Sequence, residues 1–476
     1  MQKITTAVLI AVLLSPPHVS AENDWLGLKG KYFADADLRE VRVTRLDEQV
    51  DFNWGFGSPD WRIGSDWFSA RWTGKIVPRF SEPYTFFLRS DDGARLWIDG
   101  RLVVDDSTGF PGAEAQGSIS LLADRPYDIK LEYIERWGLA NVVLSWSSRR
   151  EAKQIVPRQR LRVAAAPQQP ADGPGGASYP HASVKESIFV PSLDREYRLF
   201  EPQMPALSSA PVVIFLHGWG GLDPGWNRAW IDHIVRRGNV VVWPRYQASL
   251  LTPPQLFTSN AIAAIKLALN QLAADWPARP RPDLNRIAAI GHSMGGILAA
   301  NIAATAAAAA LPRINPVMAV TPGTGGYDDI ITDLSSIPDG TLLLALAASE
   351  DTDFWSRLIM QRTLNIAPKD KNHILVNSDD HGWPELSANH LSPIGDAAQG
   401  VDALDWYGYW KWADALIDAA FYGTHREYAL GDTPQQRDMG RWSDGTAVKP
   451  ATVTIGSALP GNARELRDPL RTVSEQ

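Results

Sequence analysis

A short glycine-rich run places one serine where it could act as a nucleophile. Ser293 stands in Gly291-His-Ser-Met-Gly295, which fits the pattern G-x-S-x-G. A buried-strand pattern, Arg286 to Ile290, comes directly before this run, and a helix-like stretch begins at Gly296. A serine in a sharp strand-to-helix turn needs glycine neighbours for steric room, and the helix N-terminus behind it adds a positive partial charge. The context therefore predicts a nucleophilic serine at position 293.

A serine hydroxyl is a weak nucleophile until a base removes its proton, so a histidine must lie nearby. When the chain order is serine, then carboxylate, then histidine, four histidines qualify: His373, His381, His390 and His425. His381 is favoured because it follows the last strand-like segment within a few residues, in a loop that belongs at the carboxyl end of a strand. His390 is the alternative, because chain order alone does not separate the two.

The base in turn needs a carboxylate that orients its ring and stabilises its charged form. The strand-like segment Thr341 to Ala348 ends in an acidic turn, Ser349-Glu-Asp-Thr-Asp353. Asp351 is the preferred third member, with Asp353 and Glu350 as alternatives.

A third requirement is a set of donors for the oxyanion of a tetrahedral intermediate. The strand-like run Val212 to Leu216 leads into His217-Gly-Trp-Gly-Gly221, whose glycines allow the backbone N–H groups to turn inward. The expected donors are the main-chain N–H groups of Trp219 and Met294, the latter following the nucleophile.

The elements that must position these residues occupy residues 185–425. Strand-like runs rich in β-branched residues and leucine alternate there with helix-like segments. Such continuous apolar runs separated by helices predict an α/β fold with a mainly parallel sheet covered on both faces. Residues 426–476 show no clear pattern and are expected to form an irregular C-terminal extension.

The chain before this region has a different character. Residues 24–163 contain short alternating runs and a strong hairpin signal, Asp99-Gly100, which together predict an all-β sandwich. Residues 164–182 are rich in alanine, proline and glycine and predict an exposed linker. The chain is therefore expected to be multidomain, and its 476 residues are enough for two domains.

Composition and the first residues limit the function classes. The net charge is −8 without long runs of one sign, which argues against nucleic acid as a partner, and the absence of cysteine excludes disulfides and a thiol nucleophile. Lys3, the apolar stretch Ala7 to Leu14, and Val19 and Ala21 predict a signal peptide over residues 1–21. The mature protein is then secreted or periplasmic, and no later stretch is apolar enough to predict a transmembrane segment.

Residues 185–425 resemble the α/β-hydrolase superfamily, through HGWGG, GHSMGG, the Asp351 turn and the His381 loop in that order. GHSMGG is similar to the elbow of lipases, cutinase-like esterases and dienelactone-hydrolase-like enzymes. The resemblance implies an eight-stranded sheet and ester hydrolysis without a catalytic cofactor.

Residues 24–163 resemble a PA14 domain, through FSARWTG at residues 68–74, YTFFL at 84–88 and SDDGARLWIDG at 90–100. The resemblance implies a possible glycan ligand, and Asp91 and Asp92 match an aspartate pair that holds calcium in sugar-binding members. The same pair also occurs as a structural turn. Trp61, Trp67 and Trp137 are candidates for stacking on sugar rings.

Two functions from different classes follow. The leading hypothesis is an exported serine hydrolase that cleaves carboxylic esters through Ser293, His381 and Asp351, with acylated carbohydrate or another surface polymer as its substrate. Lipase, polyester hydrolase and serine peptidase activities are alternatives within the enzyme class. The other hypothesis is a glycan-binding adhesin whose hydrolase-like half is a non-catalytic scaffold.

Overall fold

A computed structural model describes residues 26–107, 114–395 and 400–456. The chain divides into two compact units, with the boundary between Ala165 and Ala166. The predicted signal peptide lies outside the described residues. Within these residues, no helix is both long enough and apolar enough to cross a membrane.

The N-terminal unit consists of antiparallel strands in two sheets. One sheet has the order β2-β1-β4-β9-β6-β7 with β12 beside β4, and the other has the order β11-β10-β5-β8 with β3 beside β10. The strands are β1 Leu28–Phe33, β2 Val41–Asp47, β3 Asp51–Gly55, β4 Ser69–Ile76, β5 Glu82–Asp91, β6 Gly93–Ile98, β7 Arg101–Asp106, β8 Glu114–Leu121, β9 Tyr127–Ile134, β10 Ala140–Ser148, β11 Gln154–Ile155 and β12 Leu161–Arg162.

Alternation along these strands builds the core of the N-terminal unit. On β5, Tyr84, Phe86 and Leu88 are fully buried, while the residues between them are half-buried. Their side chains join one apolar cluster with Trp72 and Trp146, which come from different sheets. A period of two with one face buried is the pattern of a strand in a sandwich. The prediction of an all-β N-terminal region is confirmed.

The C-terminal unit is a nine-stranded sheet, as far as the described residues show, flanked by helices. The strand order is β13-β14-β16-β15-β17-β18-β19-β20-β21. The strands are β13 Ser183–Phe189, β14 Tyr197–Gln203, β15 Ser209–Leu216, β16 Val240–Pro244, β17 Arg281–His292, β18 Val317–Val320, β19 Leu343–Ala348, β20 Lys371–Val376 and β21 Thr452–Ile455. The helices are α1 Arg228–Arg236, α2 Phe257–Ala274, α3 Met294–Thr305, α4 Phe354–Arg362, α5 Trp410–Tyr422, α6 Arg426–Ala429 and α7 Pro434–Arg437.

The sheet is mixed. The six strands from β16 to β20 in the spatial order are parallel to their neighbours, whereas β13, β14 and β21 pair antiparallel at the two edges. Every residue of β16, β18 and β19 is buried, as expected for parallel strands covered on both faces. The prediction of a mainly parallel sheet therefore describes the centre of the sheet and not its edges.

Two segments differ from the sequence prediction. Residues 426–456 contain α6, α7 and β21, and β21 adds a ninth strand by pairing with β20. The description of this segment as irregular is wrong because four-residue helices and strands are too short to show a period. Residues 457–476 lie outside the described part.

The segment predicted as an exposed linker packs against the C-terminal unit. Pro174, Gly175 and Gly176 are buried, and the Gly175 N–H donates to Asp414 Oδ2 at 2.7 Å. An ideal Cβ on Gly175 would lie 1.9 Å from the carbonyl oxygen of Trp406. Glycine at this position therefore serves close backbone approach rather than flexibility.

Candidate functional site

Ser293 occupies the strained turn between β17 and α3. Its backbone has φ 56° and ψ −123°, a conformation that non-glycine residues rarely adopt. Three backbone hydrogen bonds hold it. The Ser293 N–H donates to Val320 O at 2.9 Å, and Ser293 O accepts from the N–H groups of Gly296 at 2.9 Å and Gly323 at 3.2 Å. Strain held in this way presents the hydroxyl at the carboxyl end of the sheet.

The glycines around Ser293 are a steric requirement. An ideal Cβ on Gly291 would lie 1.9 Å from Gly295 O, and one on Gly295 would lie 2.1 Å from Leu216 O. Distances this short are not seen between real atoms, so neither position accepts a side chain without backbone movement. The G-x-S-x-G pattern thus follows from how tightly α3 packs on β15 and β17.

The structure joins Ser293, His390 and Asp351 in one hydrogen-bonded chain. The Ser293 hydroxyl and His390 Nε2 are 2.9 Å apart, and His390 Nδ1 and Asp351 Oδ2 are 2.6 Å apart. A carboxylate only accepts, so Nδ1 carries the proton and Nε2 is left to accept from the serine. The three residues follow β17, β19 and β20, whose carboxyl ends meet at one edge of the sheet.

His381, the favoured base, does not contact the serine, and the structure places the alternative His390 there instead. His381 Nε2 pairs with Asp444 Oδ2 at 2.9 Å, and its ring centroid lies 5.7 Å from that of Trp442. The reason is the path of the loop after β20, which folds back on itself through an isolated bridge between Asp379 and Leu386. The residue that returns to the nucleophile is therefore His390.

The two alternative carboxylates are engaged elsewhere. Asp353 precedes α4 and forms an ion pair with Arg357, four residues later. Glu350 accepts a hydrogen bond from the hydroxyl of Ser378. Asp351 is thus the member of this acidic turn that the structure brings to His390.

A residue without a predicted role holds the base in place. His292 is buried, and its Nε2 donates to the carbonyl oxygen of His390 at 2.8 Å. Burial lowers the pKa of His292 to about 4, so the ring is neutral at pH 7. The sequence signal was its position in the elbow, directly before Ser293. Its contact with His390, 98 positions later, could not be read from the sequence without the fold.

The turn that follows β15 also borders the serine. An ideal Cβ on Gly218 would lie 3.2 Å from Ser293 Cβ, so Trp219 follows a residue in contact with the nucleophile. The Gly220 N–H donates to Gln247 Oε1 at 3.0 Å, and the Gly221 N–H donates to Gly218 O at 3.0 Å. Helix α3 begins at Met294, whose N–H belongs to the first helical turn and has no acceptor within the helix. Both predicted oxyanion donors therefore belong to segments that adjoin Ser293.

Comparison with known proteins gives a family match for each unit. Residues 26–160 match the PA14 domain, and residues 175–334 match the chlorophyllase family. The chain carries a PA14 domain followed by a chlorophyllase-like hydrolase domain. The second match includes Ser293 but ends before Asp351 and His390. The contacts of His390 with Ser293 and with Asp351 therefore rest on the geometry above.

The curated relatives cover parts of the chain. It is 35% identical over 219 residues to the anti-sigma-I factor RsgI3 of Acetivibrio thermocellus, which covers 46% of this chain and 34% of that protein. It is 29% identical over 126 residues to chlorophyllase-1 of Citrus unshiu, which covers 26% of this chain and 38% of that protein. A solved anti-sigma factor domain-containing protein from Clostridium clariflavum matches with 41% identity and a TM-score of 0.29, over 34% of this chain and 54% of that one. The chain thus spans little more than a third of these curated relatives.

One member of the aspartate pair, Asp92, holds a neighbouring loop of the PA14 domain through its side chain. Asp92 Oδ2 accepts the N–H groups of Arg136 at 2.6 Å and Trp137 at 3.3 Å. In the described part of the chain, no group of three or more His, Cys, Asp or Glu side chains is arranged to hold a metal ion. Calcium binding at Asp91 and Asp92 stays a prediction from the resemblance.

Acid should destabilise the hydrolase domain through its buried histidines. Burial lowers the pKa of His217 to about 3 and those of His292 and His373 to about 4. An unfolded histidine has a pKa of about 6.5, so below that pH the unfolded chain binds more protons than the folded chain. The stability contributed by the neutral rings is full above about pH 6.5 and is lost as pH falls toward 4. The midpoint of thermal unfolding should fall across this window.

His217→Phe tests the contribution of one ring. Phenylalanine keeps the stacking on Tyr246, whose ring centroid is 4.0 Å away, but it does not titrate. The variant should be less stable at pH 7.5, because the hydrogen bond to Gly218 O is lost, and its unfolding midpoint should depend less steeply on pH than that of the wild type. The wild type, measured in the same buffers, is the reference. Equal slopes in the two proteins would contradict the prediction.

Proposed function

We propose that the protein is a serine ester hydrolase in which Ser293 is the nucleophile, His390 the general base and acid, and Asp351 the residue that orients His390. The observation that carries this proposal is the continuous chain of hydrogen bonds from Asp351 through His390 to the serine hydroxyl, at 2.6 and 2.9 Å. The chlorophyllase-family match to the same domain supports hydrolysis as the reaction class.

The reaction follows from the roles of these groups. His390 Nε2 takes the hydroxyl proton of Ser293 while the Ser293 oxygen bonds to the ester carbonyl carbon. The carbonyl oxygen becomes an oxyanion. The N–H groups of Trp219 and Met294 stabilise that charge. His390 then gives its proton to the departing alkoxide oxygen, which leaves an acyl-enzyme. Water, deprotonated by His390, then attacks the acyl carbon. The bond from that carbon to the Ser293 oxygen breaks, His390 returns the proton to Ser293, and the acid is released.

The PA14 domain is proposed to bind a glycan and so to concentrate the enzyme on a carbohydrate-containing surface. Three tryptophans of this domain expose most of their area: Trp61 at 88%, Trp67 at 54% and Trp137 at 65%. Large exposed aromatic faces are costly in water and suit stacking on sugar rings. The predicted signal peptide would take the protein to the periplasm or outside the cell, where such polymers lie.

Labelling with a fluorophosphonate distinguishes the hydrolase from the adhesin. The full-length mature protein should be labelled stoichiometrically, with the added mass on the peptide that contains Ser293, and it should hydrolyse p-nitrophenyl esters. Heat-denatured protein is the control and should not be labelled, because the hydroxyl is reactive only beside His390. Absence of labelling in the folded protein would favour an adhesin with a non-catalytic scaffold.

A further inference from the structure

Three aromatic side chains, Trp219, Phe257 and Tyr327, form an aromatic wall near the nucleophile. Trp219 packs edge-on against Phe257, with ring centroids 5.9 Å apart, and lies against Tyr327 at 5.2 Å and an interplanar angle of 39°. Phe257 is fully buried, whereas Tyr327 is 40% exposed and Trp219 is half-buried. The outer part of the wall therefore faces solvent.

Two turns that both touch Ser293 hold this wall. Trp219 directly follows Gly218, which adjoins Ser293 Cβ, and its ring covers Gly325, where an ideal Cβ would lie 2.9 Å from the ring. The second turn reaches the nucleophile through Gly323, whose N–H donates to Ser293 O at 3.2 Å. The Trp219 ring thus connects the two segments that contact the serine.

Two side-chain hydrogen bonds hold the turn that carries Tyr327. Thr324 Oγ1 donates to Asp328 Oδ1 at 3.0 Å, and Gln255 Nε2 donates to Asp329 Oδ2 at 3.1 Å, which ties the turn that carries Tyr327 to the segment before α2. Leu250, 61% exposed, extends the apolar surface, because its Cδ2 lies 3.0 Å from an ideal Cβ on Gly220. A rigid apolar surface binds a matching group with little ordering cost.

We infer that Trp219, Tyr327 and Leu250 form the binding surface for an extended apolar acyl chain, so that the preferred substrates are medium- or long-chain acyl esters rather than acetates. This inference rests on the proposed function. Which part of the ester the wall contacts follows from the mechanism. His390 protonates the leaving oxygen, so the alcohol lies toward His390 and departs first. The acyl chain stays bonded to Ser293 after the alcohol has left, so the wall beside Ser293 is assigned to the acyl chain.

The experiment compares kcat/KM for p-nitrophenyl octanoate and p-nitrophenyl acetate in the full-length protein. The variants are Tyr327→Ser and Leu250→Ser, and the control is Tyr422→Ser, a 52% exposed tyrosine on α5 that contacts Arg286. Each methylene buried on the wall is expected to raise kcat/KM about fourfold. The wild type should therefore prefer the octanoate. The two wall variants should lower the octanoate-to-acetate ratio by roughly tenfold and change acetate turnover little, while Tyr422→Ser keeps the wild-type ratio.

Other outcomes separate this inference from the proposed function. An unchanged ratio in both wall variants, or an equal loss with both esters, would overturn the inference, provided that fluorophosphonate labelling shows an intact nucleophile. A preference that appears only when the alcohol is lengthened, as in octyl acetate against ethyl acetate, would also overturn it. Absence of hydrolysis of every ester by the wild type would instead count against the proposed function.

Discussion

Ser293→Ala should reduce kcat for p-nitrophenyl ester hydrolysis by roughly 10⁴- to 10⁶-fold. The alanine keeps Cβ, the atom that packs beside Gly218, and loses only the hydroxyl that accepts the acyl group. The variant should therefore fold as the wild type does, although it retains the strained φ of 56° at this position. Steady-state kinetics and a thermal unfolding curve of the same preparation separate loss of chemistry from loss of structure.

The control for this variant is Ser336→Ala, at an exposed serine in the turn that follows α3 and β18. It should keep wild-type kcat and should still be labelled by a fluorophosphonate, whereas Ser293→Ala should not be labelled. Turnover by Ser293→Ala within tenfold of the wild type would show that another group carries the acyl transfer, and the assignment of the elbow would then be wrong.

The sequence was most informative where a position depends on its immediate neighbours. Ser293 was predicted from a strand, two glycines and a helix within about fifteen residues, and the structure shows why that suffices: a Cβ on Gly291 or Gly295 would collide with backbone atoms of the same turn or of β15. The all-β pattern before residue 163 was readable for a similar reason, because strand alternation is a local signal.

The choice between His381 and His390 depended on distant residues. Asp379, two positions before His381, accepts hydrogen bonds from Trp442 Nε1 at 3.1 Å and from the Lys449 N–H at 2.8 Å. These partners lie in the C-terminal segment that showed no pattern, and they hold the start of the loop away from Ser293. A contact across more than sixty residues leaves no periodic trace in the sequence, so the loop path was not predictable from it.

The structures of the predicted linker and of the last strand also depended on residues far away in the chain. Gly175 was assigned to a flexible linker because of its composition, yet its N–H bonds to Asp414 Oδ2 across 239 positions of the chain. The composition of a segment indicates how flexible it is in isolation. Whether the segment packs against α5 depends on the residues of α5 that it contacts. The edge strand β21 is a further case, since four residues acquire strand structure by pairing with β20.

His390→Ala and His381→Ala form the pair of variants that separates the two loop histidines, and their effects on kcat should differ by at least about 10³-fold. His390→Ala removes the only group that the described structure places in hydrogen-bonding distance of both the Ser293 hydroxyl and Asp351, so kcat should fall nearly as far as in Ser293→Ala. His381→Ala breaks a half-exposed pair with Asp444, worth at most about 1 kcal/mol of folding stability, and should leave kcat within about threefold of the wild type.

Each variant carries its own check of mechanism. Triad members act as a unit, so Asp351→Asn combined with His390→Ala should be no worse than His390→Ala alone, because without the base there is no ring left to orient. Adding Asp444→Asn to His381→Ala should likewise have no further effect on kcat, since neither residue contacts the nucleophile. A large loss of kcat in His381→Ala, with retained activity in His390→Ala, would mean that the loop after β20 moves during catalysis and brings the other imidazole to Ser293.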